Sequence, residues 1–198
     1  MPRTATIQRT TGETDVRVEL NLDGTGTSDI ATGVGFFDHM LDLLARHALI
    51  DLTVQAKGDL HVDAHHTVED VGLALGQALL DAIGDKAGIR RYGFAKVPMD
   101  EALAEAVIDL SGRPAHVLRV EFAGPTIGDL PVELVREFWK SFANAGKLNL
   151  HQHAPYGDND HHLAEAIFKS TAVALRTATE PDPRRGTDIP STKGTLAD

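Results

Sequence analysis

Apolar and polar residues alternate at Val16, Val18, Leu20 and Leu22, the period of a strand with one buried face. A strand is also predicted over residues 4–10, and Asp23-Gly24 is a turn signal. The period then lengthens. Phe37, Met40, Leu41 and Leu44 share one face of a helix over 36–47. A short strand over 52–57 leads to a long helix over 66–83, whose apolar positions are Val68, Val71, Leu75, Leu79, Ala82 and Ile83. The same order follows once more: strands over 104–110 and 115–122 around Ser111-Gly112-Arg113-Pro114, and a helix over 131–144 with Pro131 near its start. A strand over 148–153 and a helix over 161–178 complete it.

The second half is a copy of the first. His65-His66-Thr67-Val68-Glu69 returns as His161-His162-Leu163-Ala164-Glu165, and Ala78-Leu79 as Ala174-Leu175, both 96 residues on. A domain-sized period of this kind reads as gene duplication. The expected fold is α+β: two strand–strand–helix–strand–helix halves, 1–95 and 96–180, packed as one unit with sheets covered by helices. Residues 181–198 hold Pro181, Pro183 and Pro190 and few apolar side chains, so they form a tail, disordered unless Ser191-Thr192-Lys193 gives it work.

Composition narrows the chemistry. With 19 basic and 29 acidic residues the net charge is −10, which argues against nucleic acid. The absence of cysteine removes disulfides, thiol nucleophiles and iron–sulfur clusters, and fits a reducing cytoplasmic setting. Neither a secretory h-region nor an 18-residue apolar run is visible, so no membrane partner is expected. Ten histidines in such a chain direct attention to metal ligation by nitrogen and oxygen.

By chance, His-His-x-x-Glu should occur roughly 0.02 times in a chain of this composition. It occurs twice, in register with the repeat. Polar helix starts explain a first-turn Glu, but not paired imidazoles. His65 and Glu69 share a helix face and can grip one ion, as can His161 and Glu165. His66 and His162 lie about 100° around their helices and should reach another ion. Two ions follow, each taking a His/Glu pair from one repeat and the odd His from the other, with His39 a further ligand. Imidazole and carboxylate suit six-coordinate manganese or iron, with zinc also open.

His151 and His153 share one face of a strand and, with His161 and His162, mimic a dinuclear metallohydrolase. That reading leaves the repeat unexplained. His47, His61 and His116 read as surface or core-edge residues. Arg91, Arg113 and Lys169, with Ser191-Thr192-Lys193, are candidates to hold an anionic substrate. A metal-storage shell needs no such anion pocket.

Arg9-Thr10-Thr11-Gly12-Glu13-Thr14, Gly35-Phe36-Phe37-Asp38-His39-Met40, Asp63-Ala64-His65-His66-Thr67-Val68-Glu69-Asp70, Arg91-Tyr92-Gly93, Asn159-Asp160-His161-His162 and Pro190-Ser191-Thr192-Lys193-Gly194 together resemble the imidazoleglycerol-phosphate dehydratase family over nearly the whole chain. The resemblance implies a histidine-biosynthesis lyase that dehydrates imidazole glycerol phosphate to imidazole acetol phosphate. It implies two manganese ions per site, with active sites between subunits of a 24-subunit homo-oligomer built from trimers. By motif, one ion takes His39, His66, His161 and Glu165, and the other takes His65, Glu69, His162 and residue 137. The resemblance further implies that Arg91, Arg113, Lys169, Ser191, Thr192 and Lys193 would bind substrate phosphate. It implies that Glu13 would contact substrate as the acid/base residue, with Glu69 and Glu165 the other catalytic carboxylates. At 137 the sequence carries Glu where the family often has His. Three readings stay open: Glu137 ligates, it is an ordinary surface charge, or His151 or His153 replaces it. Carboxylate oxygen suits manganese, and the pseudo-twofold favours the first.

Overall fold

A computed structural model describes residues 2–196; Met1 and the last two tail residues, 197 and 198, lie outside the described range. The chain runs β1 (Thr4–Thr10), β2 (Thr14–Asn21), β3 (Ser28–Ala31), α1 (Gly35–Ala48), β4 (Asp51–Gly58) and α2 (His65–Ile83). It continues through β5 (Tyr92–Met99), β6 (Ala102–Asp109), β7 (Ala115–Arg119), β8 (Thr126–Ile127), β9 (Leu130–Pro131), α3 (Glu133–Ala145), β10 (Asn149–Tyr156) and α4 (Asp160–Thr179). The α+β class and the duplication stand. The two main sheets have matching orders, β1-β2-β4-β3 and β5-β6-β10-β7. In each, a parallel edge strand joins through a helix to an inner one: β3 to β4 through α1, and β7 to β10 through α3.

Each main sheet therefore holds one more strand than the sequence pattern predicts, and the second half adds the short β8–β9 ribbon. β3 escapes because Ser28-Asp29-Ile30-Ala31 is a short edge strand with little to bury. β5 escapes because its inward positions are Gly93 and Ala95, while Tyr92 and Phe94 point outward. Gly93 answers to packing: a Cβ there would lie 1.8 Å from the Ala174 carbonyl of α4. The second sheet starts at Tyr92, so the expected seam at 95/96 falls inside a strand. The strand expected over 115–122 ends at Arg119, and Pro131 sits in the β8–β9 ribbon instead of opening a helix.

The helices bind the halves to each other. α4 packs on α1 and on β5 and β6, while α2 packs on α3 and on β1 and β2. Phe37 of α1, Phe138 and Trp139 of α3 and Phe168 of α4 are all but fully buried. Their ring centroids lie 5.2 Å apart for Phe37–Phe138, 5.6 Å for Phe138–Phe168 and 4.7 Å for Trp139–Phe168. Such pairs add about 0.5–1.5 kcal/mol each beyond the area they bury. Asp129, from the second half, caps α1 of the first. Its carboxylate accepts from the Gly35 and Phe36 amides at 2.6 and 2.9 Å. Past residue 180 the described chain runs through turns and bends, with Pro181 bridged to Ile89. Among the described residues no helix is long and apolar enough to cross a membrane.

Candidate active site

α4 starts where Asn159 caps it, its side-chain oxygen accepting from the His161 and His162 amides at 2.9 and 3.4 Å. His161 and Glu165 then project from one face, four residues apart. His161 Nε2 lies 2.9 Å from Glu165 Oε1, and His39 Nε2 of α1 lies 3.0 Å from the same oxygen. Ligand atoms of His39, His161 and Glu165 all fall within 4.8 Å of one another, a geometry fit for one metal ion. Glu165 is 6% exposed. Burial works to raise its pKa, but hydrogen bonds from Lys169, His39 and His161 outweigh it and hold the carboxyl down at about 2. The donor set thus includes a carboxylate that stays ionised. Lys169 Nζ sits 2.5 Å from Glu165 Oε2 and also touches Met99 Sδ. Lys169, expected at the phosphate, lies here beside Glu165, because the i, i+4 spacing puts both on one face.

His162 turns away to Glu101 of the β5–β6 turn, with Nδ1 2.7 Å from Oε2. That bond, with amides of Glu101, Asn159 and Asp158, lowers the Glu101 pKa to about 2 and raises that of His162. The start of α2 mirrors this. The His65 and His66 rings lie 6.1 Å apart at 84°, as do those of His161 and His162. His66 Nδ1 is 3.0 Å from Asp59 Oδ2, which raises the His66 pKa, and its Nε2 is 3.8 Å from Glu13 Oε1. Glu13 occupies the β1–β2 turn, the place Glu101 takes in the other sheet. His65 and Glu69 flank His66, half-buried. Asp59 and Glu101 were not foreseen, since nothing in the spacing ties 59 to 66 or 101 to 162.

Glu137 stands where the helix register demands. Phe36, Phe37, Met40, Leu41 and Leu44 of α1 match Leu134, Val135, Phe138, Trp139 and Phe142 of α3 as buried positions, which sets Glu137 opposite His39. Its carboxylate pairs with Lys140 Nζ at 3.0 Å. Among the described residues of one chain, only His39, His161 and Glu165 bring ligand atoms close enough together to hold an ion. The single chain does not bring His66 to that cluster, nor His162 and Glu137 to His65 and Glu69. The two motifs begin helices that pack with different partners, and Asp59 and Glu101 hold the odd rings. His151 and His153 project from the outer face of β10, opposite buried Gln152, which bonds to Thr171 of α4 at 2.8 Å. They point away from α4, which removes the dinuclear-hydrolase arrangement. His116 is half-buried, and burial lowers its pKa.

Arg91, Arg113, Ser191, Thr192 and Lys193 line one cavity of about 670 Å³, together with Arg185, which the sequence did not single out. Arg91 is fixed by Asp109 at 2.7 and 3.1 Å, by the Pro190 carbonyl at 2.8 Å and by the Tyr92 ring. Its amide donates to the Ala178 carbonyl at the far end of α4. At 1.5 Å per residue, positions 161 and 178 are about 25 Å apart. The basic cavity and the cluster of His39, His161 and Glu165 therefore occupy opposite ends of one helix.

A family model described as imidazoleglycerol-phosphate dehydratase matches residues 32–175. The imidazoleglycerol-phosphate dehydratase of Acidiphilium cryptum is 60% identical over 196 residues, 99% of this chain and 100% of that protein. That of Jannaschia sp. is 61% identical over 194 residues, 98% of this chain and 100% of that protein. Among solved structures, the Staphylococcus aureus imidazoleglycerol-phosphate dehydratase matches with a TM-score of 0.82 at 37% identity, covering 90% of this chain and 99% of that one. The Pyrococcus furiosus enzyme, in complex with (S)-C348, matches with a TM-score of 0.83 at 34% identity, covering 96% and 99%.

Proposed function

The chain belongs to the imidazoleglycerol-phosphate dehydratase family, hydro-lyases of histidine biosynthesis, and from that premise we propose that it is a manganese-dependent enzyme turning imidazole glycerol phosphate into imidazole acetol phosphate in the cytoplasm. The observation that carries the metal is the convergence of His39, His161 and an ionised Glu165. Two imidazoles and a carboxylate suit manganese and other first-row divalent ions. His66 would complete this ion, and His65, Glu69, His162 and Glu137 would hold a second. Asp59 and Glu101, on the Nδ1 side of His66 and His162, leave each Nε2 as the ligating nitrogen. Bound divalent metal would supply Lewis acidity toward the substrate imidazole.

The reaction removes water from a glycerol side chain where no carbonyl acidifies the departing proton. Glu13, exposed in the β1–β2 turn near His66, is the group we assign to move that proton. Glu69 and Glu165 act as carboxylates that orient and ligate. Arg91, Arg113, Ser191, Thr192 and Lys193 would hold the phosphate in a basic cavity. We assign Lys169 to the same substrate only through its neighbour Glu165, whose charge it sets.

Substrate geometry supports an assembly. Ring and phosphate are separated by a few bonds of about 1.5 Å, well under 10 Å, whereas the two ends of α4 are about 25 Å apart. One substrate molecule cannot use the metal end and the basic cavity of the same chain, so we propose that sites form between copies; the family resemblance implies that these copies belong to a homo-oligomer of 24 subunits built from trimers. The outer face of the second sheet offers an apolar row for such contacts: Phe94, Val107 and Val117 line up with His151 across all strands. The test is formation of imidazole acetol phosphate with and without added manganese. Turnover that needs manganese is the expected result; turnover by metal-stripped protein at the same rate would sink the reading.

A further inference from the structure

Lys86 combines two unfavourable features. It is 4% exposed, and its φ is 64°, in the left-handed region that glycine and asparagine favour after a helix. A lysine is rarely buried this far without a partner, and a strained backbone at such a side chain invites a functional reading. Its Nζ donates to the carbonyl of Leu196 at 3.4 Å, and Leu196 is itself buried at 7%. Gly112 meets them at the same point. A Cβ there would lie 2.0 Å from the Leu196 oxygen and 3.7 Å from Lys86 Nζ. The lysine head, the end of the tail and the turn that carries Arg113 thus converge.

The other end of the segment is also tied. Arg91 Nη1 donates to the Pro190 carbonyl at 2.8 Å, and the Gly88 amide donates to that of Asp188 at 3.0 Å. Between these two anchors stand Ser191, Thr192 and Lys193, over the basic cavity. We propose that Lys86 is a positioning residue: it straps the tail at Leu196 so that residues 191–193 form a loop closed at both ends above the anion. This rests on the reading of that cavity as the phosphate site. A loop held at one end samples many more conformations and must be ordered when the anion binds, a cost that appears as lost affinity.

The test compares full-length Lys86→Met, Lys86→Gly and Lys86→Arg with wild type. Glycine accepts a φ of 64° without strain, so Lys86→Gly removes the strap while sparing the backbone. In Lys86→Met and Lys86→Gly, trypsin should release the residues after Arg185 or Lys193 about tenfold faster by intact mass. Inorganic phosphate should bind about tenfold more weakly, and KM should rise by a similar factor with kcat and manganese content held. Lys86→Arg should retain most of the phosphate affinity, since it keeps a donor. Wild-type cleavage and phosphate binding in Lys86→Gly would overturn the proposal. If wild type itself binds no phosphate, the cavity reading fails and the positioning role with it. If phosphate binds normally while the tail is released, the cavity reading survives and the positioning role fails.

Discussion

α2 and α4 open with the same residues and end up in different company. At the start of α4, His161 and Glu165 close with His39 of α1 into a cluster tight enough for an ion. At the start of α2, His65 and Glu69 have Glu137 at the matching place on α3, and Glu137 pairs with Lys140. One turn further the helices diverge again: α4 carries Lys169 against its glutamate, and the position 96 residues earlier in α2 is Leu73. The histidine pairs themselves keep the same ring geometry. The odd rings are held by unrelated means, Asp59 before α2 and Glu101 from a hairpin turn. Duplication here preserved the His-His-x-x-Glu groups proposed to hold metal and left each half to support them with whatever lay nearby.

The comparison breaks most visibly if the ends are not equivalent in function. His161→Ala and Glu165→Ala should each cost one manganese per chain and more than about 100-fold in turnover, beyond the ~10–100-fold typical of groups that only orient a ligand. His65→Ala and Glu69→Ala should do the same to the other ion. Two ions still bound by an active His65→Ala protein would restrict catalysis to the α4 end. Glu137 comes next. Glu137→Ala should weaken one manganese at least ~10-fold, and Glu137→His should restore it, read by competition with a chelator. No change in either would reduce the match with His39 to helix packing alone.

Lys169 sharpens the contrast by stability. Lys169→Met leaves Glu165 buried with less compensation, and urea unfolding should show a loss of about 1–3 kcal/mol. The sign with pH follows from the depressed Glu165 pKa. Its contribution is present above the ordinary carboxylate range near 4.3 and is lost as pH falls through about 2. In Lys169→Met the loss should be smaller and complete at a higher pH. The smallest effect belongs to Asp129. Removing the cap of α1 with Asp129→Ala should cost about 1 kcal/mol. Burial opposes ionisation there, but the Phe36 and Gly35 amides lower the carboxyl pKa. The cap therefore helps above the ordinary carboxylate range and is lost as acid takes the pH through the lowered value. A flat acid profile in both proteins would show that the amides, not the charge, set the cap.

Helices and repeat were legible because apolar side chains mark them. Val68, Val71, Leu75 and Leu79 announce α2, and the doubled His-His-x-x-Glu announces what it carries. β5 was not legible because its buried face is Gly93 and Ala95 and its larger residues face out, the reverse of the expected signal. Within the site, pairs on one helix face could be read from spacing, as with His161 and Glu165. Contacts that close across elements could not. Nothing local tells Glu101 from any other turn acid, or Lys86 from a surface lysine. The Lys169–Glu165 pair obeys the same i, i+4 rule, but a lysine in an acidic chain carries an equally strong signal for an anion site.

The separation along α4 has a genetic consequence. If one chain lends its metal end and another its basic cavity, then defects at the two ends reside in different halves of each composite site. His161→Ala and Arg113→Ala subunits, each inactive alone, would complement when co-assembled. In a random equal mixture about a quarter of the sites would draw an intact end from each parent, as expected for contacts made between unlike surfaces of symmetric copies. Two strains unable to make histidine would then grow as one when both alleles are expressed in the same cell.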